Sequence, residues 1–296
     1  MRKKMLFVFN PTSGKSLIKN KLVDILDVFT KAGYEIEVYV TQKSLDATEI
    51  IARKGNQYDL VVCSGGDGTL NETVNGIMQF NEQERPCIAY IPAGTTCDFA
   101  SSHKIPKNMV HAAEFIVKGR PHGVDVGQFA DKYFDYVATF GAFTDIPYKT
   151  SRESKKLLGH SAYVLEGAKS LNKIKPYTVR VECEEFNFNG KLLVGMVSNS
   201  NQIAGFKGLN GKDSRLDDGE FEVLLLEYSK NPLDFIDMMK GLLQPSYKCP
   251  YIHRFKTKEI KFISKESIAW DIDGEFGGKY TEAVIKNHHQ AMKLIK

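Results

Sequence analysis

The sequence predicts a two-domain α/β protein: an N-terminal doubly wound α/β domain over residues 1–124 and a C-terminal antiparallel β-sandwich domain over residues 125–286. Three observations predict it. Apolar periodicity alternates between strand and helix through about the first 120 residues, which argues for a parallel sheet with helices on both faces. The rhythm changes after Gly123, where strands dominate. Finally, three segments rich in glycine and hydroxyl residues each follow directly on a strand, the place where doubly wound sheets bind ligands.

The elements follow in order. Met5–Phe9 is a short apolar run, read as a buried strand. Ser16–Lys31 carries Leu17, Leu22, Val23, Ile25, Leu26 and Phe29 at helical spacing and stops near Gly33. Tyr34–Val40 alternates as a strand, Asp46–Lys54 reads as a helix stopped by Gly55, and Leu60–Cys63 as a strand. Thr69–Phe80 is a helix, Ile88–Ile91 a strand and Asn108–Lys118 a helix with Asn108 as its N-cap. Beyond Gly123, Phe129–Phe143 has strand character. A basic stretch at Lys149–Lys156 leads into a helix around Ala162–Leu171. Val179, Val181 and Cys183 alternate with polar residues, and Asn189-Gly190 reads as a hairpin turn before Lys191–Val197. Glu220–Glu227, Glu259–Ile263, Ile268–Ile272 and Ala283–Lys286 are strands, and Leu233–Leu243 is a helix.

Bulk properties exclude several classes. Hydrophobic residues are 42% of the chain, enough for sizeable cores and too many for a disordered protein. A net charge of +4 suits anionic nucleotides and an anionic membrane surface, but no basic-aromatic stripe points to nucleic acid. Five scattered cysteines form no CxxC pair, so neither a zinc site nor a disulfide framework is expected, and a reducing cytoplasm is the natural setting. The apolar run before Asn10-Pro11 is too short for a signal peptide, and no stretch approaches the roughly 18 apolar residues of a membrane span.

Four segments carry chemistry. Asn10-Pro11-Thr12-Ser13-Gly14-Lys15 lies between the first strand and the first helix, where backbone N–H groups and a helix N-terminus can hold an anion; the alternative is a plain turn. Ser64-Gly65-Gly66-Asp67-Gly68-Thr69-Leu70-Asn71-Glu72 permits close backbone approach to a polyphosphate. Asp67 would repel phosphate unless Mg²⁺ lay between them. Ile91–Ala100 adds a second carboxylate, Asp98, beside Thr95 and Thr96. Trp270–Phe276 places Asp271 and Asp273 on one strand face, with Glu275 just beyond; such a cluster holds metal, acts as a general base or is simply a charged turn. Lys15 reads equally as a phosphate partner or a solvated lysine, and the seven histidines have no ligand spacing.

The run GGDGTLNE at Gly65–Glu72, with NPTSGK before it and P-x-G-T-x-x-D-F-A after it, resembles the diacylglycerol kinase catalytic domain, in particular the soluble bacterial lipid kinases. LGHSAYVLEG at Leu158–Gly167, LDDGEFEV at Leu216–Val223 and DIDGEF at Asp271–Phe276 extend the likeness over nearly the whole chain. The resemblance implies an ATP site in the interdomain cleft, lined by Asn10, Pro11, Thr12, Ser13, Gly14, Thr41, Gly66, Asp67, Gly68, Thr69, Leu70, Asn71, Glu72 and Thr95. It implies Asp273 as the catalytic base, with Asp67 and Asp98 organising the catalytic Mg²⁺. A second, structural Mg²⁺ is implied at the carbonyls of Arg215 and Glu220 and the side chain of Asp218. Residues 287–296 are implied to return and pack on the first domain. Two positions depart from the family pattern: Cys97 stands where Asn is usual, and Gly208–Ser214 replaces a Pro-rich segment.

The expected activity is transfer of the γ-phosphoryl of ATP to a membrane lipid hydroxyl, diacylglycerol first, at the inner face of the membrane and with a homodimer as a candidate assembly. Sphingoid bases, phosphatidylglycerol and polyprenols are the alternative acceptors. An NAD-kinase-like enzyme and a catalytically silent nucleotide- or lipid-binding regulator are the alternatives from other classes.

Overall fold

The computed structural model describes residues 3–95, 97–141, 175–200, 202–203, 206–207, 215–244 and 246–296. The basic stretch at Lys149–Lys156, the helix expected at Ala162–Leu171, the LGHSAYVLEG run and Gly208–Ser214 lie outside the described residues.

Strand and helix alternate through the first half: β1 (Lys3–Phe9), α1 (Ile18–Lys31), β2 (Tyr34–Val40), α2 (Asp46–Lys54), β3 (Leu60–Gly65), α3 (Asp67–Ile77), β4 (Cys87–Pro92), α4 (Asp98–Ser102) and α5 (Met109–Lys118). These four strands are parallel, in the order β2-β1-β3-β4. Apolar side chains leave both faces of β1. Met5, Phe7 and Phe9 join Ile18, Ile25 and Phe29 of α1 and Met109 of α5, while Leu6 and Val8 meet Ala47, Ile50 and Ile51 of α2. A strand covered on both sides reads as a continuous apolar run rather than an alternating one, and β3 is buried throughout for the same reason. Asn108 caps α5 as expected, its Oδ1 accepting the N–H groups of Val110 (3.0 Å) and His111 (3.1 Å). The strand order reverses direction between β1 and β3, and this is where such a sheet opens a crevice.

The second half contributes β5 (Pro121–Phe129), β6 (Lys132–Phe134), β7 (Val137–Gly141), β8 (Tyr177–Glu182), β9 (Asn187–Ser198), β10 (Gln202–Ile203), β11 (Phe206–Lys207), β12 (Phe221–Glu227), α6 (Pro232–Leu243), β13 (Ile252–Thr257), β14 (Glu259–Ile272) and β15 (Glu275–Ile295). Apart from a single parallel contact of β15 with β4, its pairings are antiparallel. The long strands β9 and β14 each pair with both β7 and β8, so each passes from one layer of a sandwich to the other. Trp270 fills the space between the layers, its ring centre 4.8 Å from that of Phe140, 4.9 Å from Phe129 and 5.2 Å from Phe262.

Three local expectations change. Asn189-Gly190 is not a turn: both residues lie inside β9, opposite Arg180 and Val179, and the hairpin closes at Cys183–Phe186 instead. Gly190 is small because the Phe188 ring lies over it, 2.6 Å from where a Cβ would be. The strands expected at Glu259–Ile263 and Ile268–Ile272 are one strand, β14, with an irregularity between them. Ala283–Lys286 is the middle of β15, a 21-residue strand that pairs with β14 over Glu275–Lys286 and then with β5 up to Ile295. Leu294 of the same strand also pairs with Ile88 of β4, so one strand joins the antiparallel half to the parallel sheet. Among the described residues no helix is long and apolar enough to cross a membrane.

Candidate active site

The first two glycine-rich segments meet at the crevice between β1 and β3. The Asn10 N–H donates to the Ser64 carbonyl (3.0 Å), the Gly66 N–H donates to Ser13 Oγ (3.2 Å), and the Asn10 amide reaches Thr69 Oγ1 (3.4 Å). The third segment closes against both. A Cβ on Gly14, which has φ +56°, would stand 2.3 Å from the Ala93 carbonyl oxygen, and one on Gly94 would stand 2.7 Å from Gly66 Cα. Only glycine permits this approach of three backbones.

The loops border a cleft of about 600 Å³. Asn10, Pro11, Thr12, Ser13, Thr41, Gly66, Gly68, Thr69 and Glu72 line it, together with Gln42, Lys43 and Ser44, which the sequence did not single out, and Glu275 of the Asp271–Asp273 cluster. Glu275 comes from the antiparallel half, so both halves of the chain contribute. Leu70 is placed elsewhere: its side chain is in the hydrophobic core and its N–H bonds to the Gly66 carbonyl (3.1 Å). The carboxylate of Glu72 accepts the N–H groups of Leu45 (2.8 Å) and Ala47 (3.2 Å), which anchors the start of α2. Thr95 is exposed on the third loop.

Three carboxylates lie behind the cleft. Asp67 opens α3 and accepts the Cys97 N–H at 3.2 Å. Burial, and then the neighbouring charge of Asp98, push its carboxyl up to about 6. Asp98 opens α4, is buried, and accepts the Tyr136 hydroxyl at 2.9 Å.

Asp273 reaches the same region from the other half. Asp273 and Gly274 have φ of +52° and +87° and form the two-residue turn between the paired Ile272 and Glu275. Asp-Gly suits such a turn, because both central residues need the left-handed conformation. The turn aims the Asp273 carboxylate at the start of β7. There it accepts the N–H groups of Asp135 (3.1 Å), Tyr136 (3.1 Å) and Val137 (2.8 Å), and the side-chain amide of Asn71 (2.7 Å). Asn71, expected at the nucleotide, therefore holds Asp273. Asn75, one turn further along α3, docks Tyr133 of β6 through bonds to its N–H (3.0 Å) and carbonyl (2.9 Å). Asp135 and Tyr136 were missed in the sequence, although an aspartate inside the apolar run Tyr133–Phe140 was a visible signal.

The expected second metal site is arranged differently. Asp218 accepts from Lys256 Nζ at 2.7 Å and from the Glu220 N–H at 3.3 Å, and Lys256 also lies 3.5 Å from Glu222. An ammonium stands between the Asp218 and Glu222 carboxylates, so the Asp218 carboxylate expected at a second Mg²⁺ is paired with Lys256 here. Among the described residues no group of three or more His, Cys, Asp or Glu side chains could hold a metal ion.

Comparison with known proteins places this geometry in a family. Residues 4–129 match the diacylglycerol kinase catalytic domain. A diacylglycerol kinase of Staphylococcus saprophyticus is 36% identical over 281 residues, covering 94% of this chain and 91% of the relative. One from Staphylococcus epidermidis is 36% identical over 281 residues, covering 94% and 88%. The fold is shared with a putative diacylglycerol kinase of Bacillus anthracis, with TM-score 0.81 and 22% identity over 99% of this chain and 95% of that one. The chain belongs to the diacylglycerol kinase family. It is a lipid kinase.

Proposed function

We propose that this lipid kinase transfers the γ-phosphoryl of ATP to the free hydroxyl of diacylglycerol, giving phosphatidic acid, with Asp273 as the base. The observation that carries the reading is the Asp273 carboxylate. It is buried, fixed by four N–H donors, and joined through Asn71 to the helix that starts at the glycine loop. The names of the curated relatives support the acceptor.

Phosphoryl transfer asks the protein chiefly for positioning and charge stabilisation. The loop after β1 and the start of α3 supply N–H groups and a helix N-terminus at the cleft, where polyphosphate is favoured. Asp67 and Asp98 are the residues that would hold Mg²⁺. A half-buried Asp67, its carboxyl raised by burial and then by the charge of Asp98, beside a buried Asp98 fits that ion, which takes one or two carboxylates together with phosphate oxygens. When bound there it would offset charge on the β- and γ-phosphoryl oxygens. Asp273 takes the proton of the attacking hydroxyl. Three of its four donors are backbone N–H groups; the fourth, the Asn71 amide, is the one that can swing aside to admit the hydroxyl. The net charge of +4 supports contact with an anionic membrane surface at the water side.

The test is transfer of label from γ-labelled ATP into mixed micelles of diacylglycerol and anionic lipid. Labelled phosphatidic acid is expected with the native protein and not with Asp273→Asn, which still binds ATP. Near-normal turnover by that variant would refute the base assignment. Label entering only a sphingoid base, phosphatidylglycerol or a polyprenol would replace the acceptor.

A further inference from the structure

Tyr136 stands in the two-residue link between β6 and β7, and it touches two of the carboxylates behind the cleft at once. Its backbone N–H donates to Asp273 Oδ1 at 3.1 Å, and its hydroxyl donates to Asp98 Oδ2 at 2.9 Å. Asp273 comes from the turn between β14 and β15, and Asp98 from the start of α4, so one residue spans from the proposed base to the other half of the chain. We infer that Tyr136 is a positioning residue for the kinase reaction: its hydroxyl holds the Asp98 carboxylate, one tyrosine side chain away from the base, in the orientation that receives Mg²⁺. The inference rests on the proposed assignment of Asp67 and Asp98 to that ion.

The tyrosine is itself held on every side. Its carbonyl accepts the Asn199 N–H at 3.1 Å, and the Asn199 amide in turn donates to the Asp125 carbonyl at 2.9 Å. The next residue, Val137, exchanges two bonds with Asp273: its N–H donates to Oδ1 at 2.8 Å, and its carbonyl accepts the Asp273 N–H at 2.9 Å. The half-buried ring packs against the apolar cluster that includes Val137 and Met196. With main chain and ring both fixed, the hydroxyl imposes its place on the carboxylate it bonds.

Such a contact matters because a side chain that must be ordered when an ion binds subtracts that cost from affinity, whereas one already ordered does not. The two carboxylates share this arrangement. Asp67 is turned by the Cys97 N–H, 3.2 Å away, and Asp98 by the phenol. Phosphoryl transfer also depends on position, and a misplacement of about 1 Å costs on the order of a hundredfold in rate. A hydroxyl that only satisfied the buried Asp98 would contribute to stability and to nothing else.

The experiment measures by calorimetry the affinity of the full chain for ATP, once with a chelator and once with excess Mn²⁺, which takes the same oxygen ligands as Mg²⁺. It compares the native protein with Tyr136→Phe and Asp98→Asn. Phenylalanine keeps the ring and the backbone N–H to Asp273 and removes only the hydroxyl. In Tyr136→Phe the gain in affinity that Mn²⁺ brings should shrink roughly tenfold, the effect of losing one hydrogen bond to a charged group, while binding with the chelator is unchanged. The Mg²⁺ concentration that half-saturates label transfer should rise by a similar factor. A gain in Tyr136→Phe equal to or larger than the native one would overturn the inference, even with a lowered Tm, and so would an equal loss of affinity with and without metal. Asp98→Asn separates the two assignments. If it loses the gain while Tyr136→Phe keeps it, the inference alone fails; if it keeps the native gain, or the native protein has none, the assignment of the ion fails and the inference with it.

Discussion

The side-chain amide of Asn71 donates to Oδ2 of Asp273 at 2.7 Å, joining residues 202 positions apart in the chain. One comes from the helix that follows the glycine loop, the other from a tight turn in the antiparallel half. The contact links the cleft loops to the proposed base. Removing it should act on the chemical step rather than on nucleotide affinity.

Asn71→Ala is therefore expected to lower kcat roughly ten- to a hundredfold, the effect of losing one hydrogen bond to a charged group, with little change in the KM for ATP. Steady-state kinetics in mixed micelles measure both. A large rise in KM at unchanged kcat would return Asn71 to the nucleotide.

Gly94→Ala tests the meeting of the loops. Its Cβ would lie 2.7 Å from Gly66 Cα, a backbone atom that cannot turn aside as a side chain can. The loops must separate, at a cost of about 1–3 kcal/mol. Weaker ATP binding and a lower Tm are expected together; retention of both would show that the loops adapt.

Asp67 makes stability depend on pH. Its carboxyl is raised from the usual 3.8 to about 6, so the protonated form favours the folded state. That contribution is fully present below about pH 4 and is lost as pH rises through about 6. Without Mg²⁺ or ATP, Asp67→Asn should gain in Tm over the native protein as pH rises from 4 to about 7. A constant difference across that range would contradict the shift.

Cys97 adopts φ +50° and ψ +54°, the left-handed region that costs most side chains about 1–2 kcal/mol and that asparagine tolerates. Its thiol lies 3.4 Å from the Tyr90 hydroxyl, which could also serve an amide. Cys97→Asn should raise stability by roughly 1 kcal/mol and keep activity, measured by denaturant unfolding and label transfer. A loss of stability would mean that the buried pocket is shaped for sulfur.

Much of this was legible because some local rules leave little choice. The periodicity of Tyr34–Val40 and Asp46–Lys54 matches β2 and α2 to the residue, and Asn108 caps α5, since hydrophobic spacing and capping chemistry act over a few neighbouring residues. Asn189-Gly190 misled for the same reason. A local turn signal was outweighed by continuous pairing of β9 with β8 and by the ring of Phe188 over Gly190. Lys256 carried no signal at all, because its partners Asp218 and Glu222 reach it only through the pairing of β12 with β13.

Asp273, expected on one strand face with Asp271, lies instead in the left-handed Asp-Gly turn that ends β14. By itself the sequence determined the alternation that builds the parallel sheet and the glycines that let three backbones meet. Each depends on contacts within a few residues or on a backbone conformation only certain residues adopt. The tertiary structure alone decided that Asn71 serves Asp273, that Asp135 stands beside it, and that Tyr136 bonds Asp98. Those relations arise because β15 ties the antiparallel half to the parallel sheet, and the docking of β6 against α3 buries polar groups that must then find partners in one another.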